Sequence, residues 1–572
     1  MPTTTPITRA VAILPLLMLF QAKAGESFVT DEAQRQRIEE ALPAEAAAKP
    51  AKPRRLLIFN RNLEYNGHRQ SILAASEAFT QMGRKTGAFE ATVSEDPAVF
   101  DRESLAKFDA VFLNNSIGAC VAEPERRQNL LEFVTGGGGL MGVHGTSIAF
   151  MHWQWPPVED WPEFGNLIGA RGAAHPHANE RVFIGIEEPA HPLNRAFAGQ
   201  GFEMTSEFFR FHEPYSRQRV RVLLAMDTKK TDLSHLKPGD PSLRGDHDYA
   251  LAWIRRYGRG RVFYSTIGHQ EQIFEDANML RFYLDGAQFV LGDLTVPTTP
   301  SAKLSPAVLA QEKLGWRIGV EAYTFHKYSF FETIDKTAEL GLPYIGGLSF
   351  MQQVSKDFPK NLDQNLTDGE LLQVRMKMEA AGVRMLTYYA QDIPKDEVAC
   401  RRLFEFSRKL GFETLMCEPK PEQLDLLDKL ANEFGVNVAI HNHGPNISPV
   451  WWKPENILKA CEGRSKRIGA APDLGYWLRH GIDPVEAARL LKDRILTVQM
   501  HDLHEAGEKG HDVPWGTGIG KSREFFQELH RLGVKPTMIG LEYSHDWMES
   551  MPKAAKCIEF FNATTLELAA KP

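Results

Sequence analysis

The sequence predicts an α/β protein of two domains, a doubly wound parallel sheet followed by a (β/α)8 barrel. Three observations predict it. At 572 residues the chain exceeds what one hydrophobic core serves. Short apolar strands alternate with helical stretches in both halves, the pattern of parallel sheets. Eight strand-like runs then recur between residues 316 and 542, the spacing and size of a closed barrel.

The first element is not part of either domain. Arg9 precedes an apolar run from Ala10 to Phe20, and Ala22-Lys23-Ala24 offers small residues at a cleavage spacing. Residues 1–24 therefore read as a secretory signal peptide, which predicts export to a periplasm or the exterior and no stable membrane insertion after cleavage. Residues 25–53, rich in Ala, Glu, Lys and Pro, read as a partly helical lead-in. The composition is 43% hydrophobic and 24% charged, with a net charge of -7, so no basic footprint for nucleic acid exists. A small carbohydrate fits that balance better than a polyanion does, and oligomerisation is left open. The five cysteines are scattered without metal-cluster spacing and read as buried thiols.

The first domain, residues 54–293, opens with the apolar strand Leu56–Asn60 and a helical stretch from His68 to about Met82. A second buried strand at Phe108–Asn115 precedes a helix near Glu123–Val134. Gly136–Gly139 then leads into Leu140–Gly145; it lacks a following Lys-Ser/Thr and precedes a strand, so it is not a phosphate loop. Residues 294–314, with Val296–Lys303 at their centre, read as the interdomain linker.

The second domain, residues 315–568, carries strand-like runs at Trp316–Tyr323, Pro343–Gly347, Val383–Tyr389, Thr414–Glu418, Val436–His441, Arg467–Asp473, Ile495–His501 and Thr537–Glu542. Gly341, Gly382, Gly411 and Gly435 stand where helix C-caps are expected. Glu321, Glu418, His441, Asp473, His501 and Glu542 fall at or near the carboxyl ends of these runs, the catalytic face of barrel enzymes. Carboxylates with imidazoles suit a divalent ion such as Mn, Co, Zn or Mg. Asp473, His501 and Glu542 come from three successive strands and can point at one ion, with a fourth ligand from Glu418 or His441.

Particular motifs carry a resemblance. His441-Asn442-His443-Gly444-Pro445, Pro472-Asp473-Leu474-Gly475, Val498-Gln499-Met500-His501-Asp502, Pro514-Trp515-Gly516-Thr517-Gly518 and Gly540-Leu541-Glu542-Tyr543 resemble the xylose-isomerase-like barrel superfamily. It includes sugar-phosphate isomerases, ketose 3-epimerases, inosose dehydratases and endonuclease IV. The resemblance implies Asp473, His501 and Glu542 as metal ligands. Two positions depart from it: His441 stands where epimerases place a ligand Glu, and Tyr476 stands three residues after Asp473 where a His is frequent. The nuclease branch fits poorly, because Asp512-Val513-Pro514 lacks its second imidazole.

These readings predict an isomerase, epimerase or lyase that deprotonates a sugar or keto-sugar next to a metal-bound carbonyl and passes through an enediolate. The alternatives are a non-catalytic carbohydrate-binding protein and a metal-dependent hydrolase of glycosides. Because Pro419 ends its strand, Glu418 is expected at the mouth as the fourth ligand. The predicted metal set is Glu418, Asp473, His501 and Glu542. The predicted catalytic groups are Glu418, Glu542, His441 and His443, with Tyr476 and Trp515 as substrate contacts.

The first domain carries a resemblance of its own. Gly139–Thr146, His175-Pro176, Trp253 and Tyr257–His269 resemble the ThuA family, named for trehalose utilisation and related to class I glutamine amidotransferases of flavodoxin-like fold. His144 takes the place of the amidotransferase nucleophilic Cys and cannot supply a thiolate. The resemblance implies a carbohydrate pocket, in which His144, His175 and His269 are the expected contacts and Glu207 a further candidate.

Overall fold

The computed structural model describes residues 31–63, 65–151 and 160–571. The expected signal peptide lies outside them. No helix among the described residues is long and apolar enough to cross a membrane.

In the first domain, strands β1 (Arg55–Phe59), β2 (Glu90–Ser94), β3 (Ala110–Asn114) and β4 (Gly139–Val143) form by parallel pairing, with helices Arg69–Thr86 and Pro124–Thr135 as crossovers. Two short strands, β5 (Arg171–Ala174) and β8 (Arg210–His212), pair separately. Strands β6 (Glu180–Ile186), β7 (Phe202–Ser206), β9 (Arg221–Met226), β10 (Ala250–Tyr257) and β11 (Gly260–Ser265) complete a sheet of order β2-β1-β3-β4-β11-β10-β9-β6-β7. Only β2, β1, β3, β4 and β11 run parallel; β10, β9, β6 and β7 alternate in direction. The expected parallel sheet is present, and four further strands extend it on one side in alternating directions. The cause is local, since Gly258-Arg259 joins β10 to β11 with no room for a crossover helix. Apolar side chains cover both faces of the sheet.

The lead-in and the linker are both docked. Helix Glu32–Ala41 buries Ile38, and its Gln34 and Arg37 bond Glu275. The linker is pinned to the first domain by Ser301 N–H to Val220 O at 2.9 Å and by Ala302 N–H to Arg217 O at 2.9 Å. Its helix Pro306–Leu314 packs on the C-terminal helix Ser550–Ala570, where Gln311 donates to Asn562 at 2.8 Å. All five cysteines are buried thiols.

The barrel strands are β12 (Ile318–Glu321), β13 (Tyr344–Leu348), β14 (Arg384–Tyr389), β15 (Thr414–Cys417), β16 (Asn437–His441), β17 (Ile468–Ala471), β18 (Val498–Met500) and β19 (Ile539–Leu541). All eight expected runs are present and parallel, in the order β17-β16-β15-β14-β13-β12-β19-β18. Isolated parallel bridges Ala470–Ile495 and Asp473–Gln499 close the ring between β17 and β18. The second bridge sits at the mouth and fixes Asp473 beside the strand that ends in His501.

The amino ends of the barrel strands rest on the β10–β11 hairpin. Arg384 donates to Gly258 O at 2.7 Å, and Arg259 donates to Phe434 O and Gly435 O, each at 3.0 Å. Beneath them Glu413 binds Arg317 at 2.7 Å and Arg384 at 3.1 Å, with Arg256 of the first domain at 3.9 Å. Burial pushes the Glu413 carboxyl up, but Arg317 and Arg384 hold it well below the usual carboxylate range.

Gly411 caps its helix at a φ of +83°, and a Cβ there would collide with the Gly258 backbone. Gly463 has a φ of +71° with open space around it. Gly463→Ala should therefore cost only the left-handed backbone, about 1–2 kcal/mol. Gly411→Ala adds an interdomain clash and should cost clearly more, read as a lower urea midpoint. Equal losses would show that the hairpin is not held tightly.

Candidate active site and metal centre

Three barrel strands deliver side chains to one point at the mouth, and a fourth brings a histidine beside it. His441 ends β16, Asp473 follows β17, His501 follows β18 and Glu542 follows β19. Asp473 Oδ2 lies 3.5 Å from His441 Nε2 and 3.7 Å from His501 Nε2, and Glu542 Oε1 lies 3.9 Å from His501 Nε2. All four residues are buried.

Each group is aimed by a neighbour. Asn442 accepts from Asp473 N–H at 3.0 Å and donates to its carbonyl at 3.1 Å. Tyr476 N–H donates to Asp473 Oδ1 at 3.0 Å, so the aspartate also caps helix Leu474–Arg479. His501 Nδ1–H donates to Asp512 Oδ1 at 2.8 Å, and Asp512 accepts from Ser544 N–H at 3.0 Å. Gln499 donates to Glu542 Oε2 at 2.9 Å.

Glu418, expected as the fourth ligand, does not face the trio of Asp473, His501 and Glu542. Its Oε1 accepts from His441 Nδ1–H at 2.9 Å, from His443 N–H at 3.1 Å and from His443 Nδ1. The fourth group facing the trio is His441 Nε2. The register explains the exchange: Cys417 pairs with Ile440, so the next residues, Glu418 and His441, are neighbours and meet each other first.

Charge is unevenly balanced here. Burial and the charge of Glu542 raise the Glu321 carboxyl to about 8, so this acid is neutral at pH 7. It sits on the barrel axis where Gly346 and Gly540 leave room, with Thr387 as its hydrogen-bond partner. Burial also raises Glu542, although His501 pulls it down. Burial would raise Asp473, but His501 and His441 bring it below its usual range. Burial raises Glu418 too, and its bonds to His441 and His443 reverse the direction. Both imidazoles resist burial, His441 through Asp473 and Glu418, His501 through Asp512 and Asp473; each is raised.

The donor set fits a divalent cation. His501 Nε2 is buried with no hydrogen-bond partner, and its Nδ1–H is committed to Asp512. In the neutral ring Nε2 is a lone pair directed at two carboxylates, which only a proton or a cation between them satisfies. His441 repeats the arrangement, with Nδ1–H on Glu418 and Nε2 facing Asp473. Two carboxylates and two imidazoles, each backed by a carboxylate, are ligands for Zn, Mn or Co.

A cavity of about 430 Å³ opens over these groups. Its wall adds Tyr323, Tyr389, Tyr476, Arg479, His443, Phe350 and Trp547. Trp515, an expected substrate contact, is not among them. It is buried against Phe526 and Phe561, because the loop after β18 turns it inward onto the last two helices. Sequence reasoning missed Tyr389, although it ends a strand, and missed Tyr323 in a short 3-10 turn, Arg479 at the end of a short helix and Trp547 in a turn, where no local signal marks them.

The first domain gathers a second cluster at the carboxyl ends of its strands. His144 follows β4, Glu207 follows β7, His269 follows β11, and His68 joins them from the turn before helix Arg69–Thr86. His144 Nε2 lies 3.3 Å from Glu207 Oε1 and 3.2 Å from His269 Nδ1. His175 stands at the rim, its Nδ1 3.5 Å from Glu207 Oε2. The expected contacts His144, His175 and His269 are thus brought together around Glu207, and His68 is the member that sequence reasoning missed.

Comparison with known proteins agrees with this architecture. Residues 55–290 match the family model for trehalose utilisation, ThuA, and residues 421–564 match that for the xylose isomerase-like TIM barrel. Among solved structures, an uncharacterised protein from Parabacteroides distasonis ATCC 8503 is 30% identical, covering 43% of this chain and 98% of its own, with a TM-score of 0.36. A D-tagatose 3-epimerase-like protein is 16% identical over 43% of this chain and 96% of its own, with a TM-score of 0.35. The 3-keto-D-glucoside 4-epimerase YcjR from E. coli, in its apo form, is 11% identical over 43% and 99%, with a TM-score of 0.33. No curated protein matches the chain.

The position of Trp515 is directly testable. Trp515→Ala should lower stability by about 3–5 kcal/mol, the cost of emptying a large core site, in urea unfolding followed by circular dichroism. A variant as stable as the parent protein would return Trp515 to the cavity wall.

Proposed function

This chain is a ThuA-like domain fused to a xylose isomerase-like barrel, and we propose that the barrel is a divalent-metal-dependent isomerase or epimerase of a sugar or keto-sugar. The observation that carries the reading is the unpartnered Nε2 of buried His501, directed between Asp473 and Glu542 at the base of a cavity. Asp473, His501, Glu542 and His441 would hold the ion. When bound, such an ion supplies Lewis acidity toward neighbouring carbonyl and hydroxyl oxygens.

The remaining residues suit a polar ring with C–H faces. Burial pushes the phenols of Tyr323, Tyr389 and Tyr476 up, so they stay protonated and donate hydrogen bonds to sugar oxygens. Arg479 adds a cation for a carbonyl or a polar substituent. Phe350 and Trp547 offer apolar faces to C–H groups. The cavity volume is near the lower end of ligand sites, roughly 300–1,000 Å³, which suits a small saccharide and not a polymer.

His443 is the proton carrier. Its Nδ1 is engaged by Glu418, which holds the ring at the cavity wall and leaves Nε2 to exchange a proton with a bound sugar. Moving a proton on a carbon next to a carbonyl gives isomerisation or epimerisation; a leaving group one carbon further on turns the same step into elimination. The apolar run Ala10–Phe20 supports the view that this chemistry takes place outside the cytoplasm.

Proton exchange provides the test. The full chain, incubated with Mn, Co or Zn and with free and 3-oxidised mono- and disaccharides in D2O, should wash deuterium into one C–H beside a carbonyl, read by NMR. His443→Gln should slow that exchange by about 10²–10⁴-fold, the usual worth of a positioned acid or base. Asp473→Ala and Glu542→Ala should each lower bound metal by one equivalent per chain. Stoichiometric metal unchanged by both substitutions, or exchange unaffected by His443→Gln, would overturn the assignment.

A further inference from the structure

We propose that the first domain holds a second divalent-cation site, of the zinc class, formed by His68, His144, Glu207 and His269. One ligand atom from each lies within 4.8 Å of the others. Ligand atoms of a tetrahedral ion held at ~2.0–2.1 Å stand about 3.3 Å apart. The separations from His144 Nε2 are 3.3 Å to Glu207 Oε1 and 3.2 Å to His269 Nδ1, and His269 Nδ1 lies 3.8 Å from the same carboxylate oxygen.

Hydrogen bonding alone does not satisfy this cluster. His144 Nδ1 faces the carbonyl of Thr266 at 2.9 Å, and a carbonyl only accepts, so Nδ1 carries the hydrogen. His144 Nε2 is then a lone pair, and it faces a carboxylate oxygen. A hydrogen on His269 Nδ1 would satisfy that lone pair but would leave the carboxylate contact repulsive. His68 is the second, independent sign. It is 2% exposed, and both of its ring nitrogens are buried without a hydrogen-bond partner. Burial of an imidazole with neither nitrogen satisfied is costly unless a ligand takes the lone pair.

The chain also holds these rings in place. His144 adopts a φ of +39°, and its carbonyl accepts from Tyr264 Oη–H at 2.7 Å. Three imidazoles and one carboxylate select Zn, Co or Ni over Mg or Ca. His175, 30% exposed at its side chain, stands beside the second Glu207 oxygen and marks the side from which the ion would enter.

The test separates this site from the barrel site. The full chain carrying Asp473→Ala and Glu542→Ala, loaded with zinc and dialysed, should retain one zinc per chain by elemental analysis. Cobalt in its place should give the strong visible absorption of a four-coordinate ion. Adding Glu207→Gln, which preserves volume, should weaken zinc binding by more than the ~10–100-fold typical of losing an outer-shell partner, with an unchanged circular dichroism spectrum. His269→Ala should do the same. Absence of zinc from the Asp473→Ala, Glu542→Ala protein, or zinc that survives Glu207→Gln, would overturn the proposal. Should His269→Ala not fold, the Glu207→Gln result decides. The barrel assignment fails separately, by the comparison of the parent chain with its Asp473→Ala and Glu542→Ala variants.

Discussion

The barrel depends on one electrostatic constraint: carboxylates crowded at a buried mouth need compensation that water cannot supply. Glu321, Glu418, Asp473, Asp512 and Glu542 are held there with only His441 and His501 buried among them. An isolated ion of this size would lose several kcal/mol on leaving water. The local structure can be understood as a response to that cost. Asp512 and Glu418 each bond an imidazole, Asn442 clamps the Asp473 backbone, and Glu321 keeps its proton. What is left after these pairings is a set of lone pairs converging from Asp473, Glu542, His441 and His501.

The packing of the two domains keeps the two clusters apart. The β10–β11 hairpin, singled out in the sequence as a family motif, seats the amino ends of the barrel strands through Gly258, Arg259 and Arg384. The carboxylates and imidazoles of the barrel mouth stand at the opposite, carboxyl ends. His269 follows β11 at its far end, and six residues of strand span roughly 20 Å. The His144–Glu207–His269 cluster and the barrel mouth therefore stand on opposite sides of the hairpin, well apart.

How much of this was legible in the sequence follows from what each feature depends on. The barrel strands were legible because their apolar runs and the glycines before them are local signals. Asp473, His501 and Glu542 were legible because each follows a strand end, where direction is dictated by the barrel. Glu418 also follows a strand end, but its direction is decided by the register of β15 against β16, which sets it beside His441. Register between strands is not written in either strand alone. Trp515 lies on a loop whose course is fixed by two later helices, and the antiparallel half of the first sheet follows from a short turn whose pairing partners are distant. His68 precedes an ordinary helix, and nothing near it in sequence points toward His144, His269 or Glu207.

The two clusters use one device with opposite electrostatic results. In each, a histidine commits Nδ1–H to an acceptor and thereby turns Nε2 inward: His501 on Asp512, His441 on Glu418, His144 on the Thr266 carbonyl. A carboxylate behind the ring makes it more basic, so His441 and His501 are raised despite burial. In the first domain burial prevails, and the neighbouring imidazoles act in the same direction, so His68 and His269 are lowered. Protons can therefore stand in for a cation at the barrel mouth, whereas burial disfavours protons on His68 and His269.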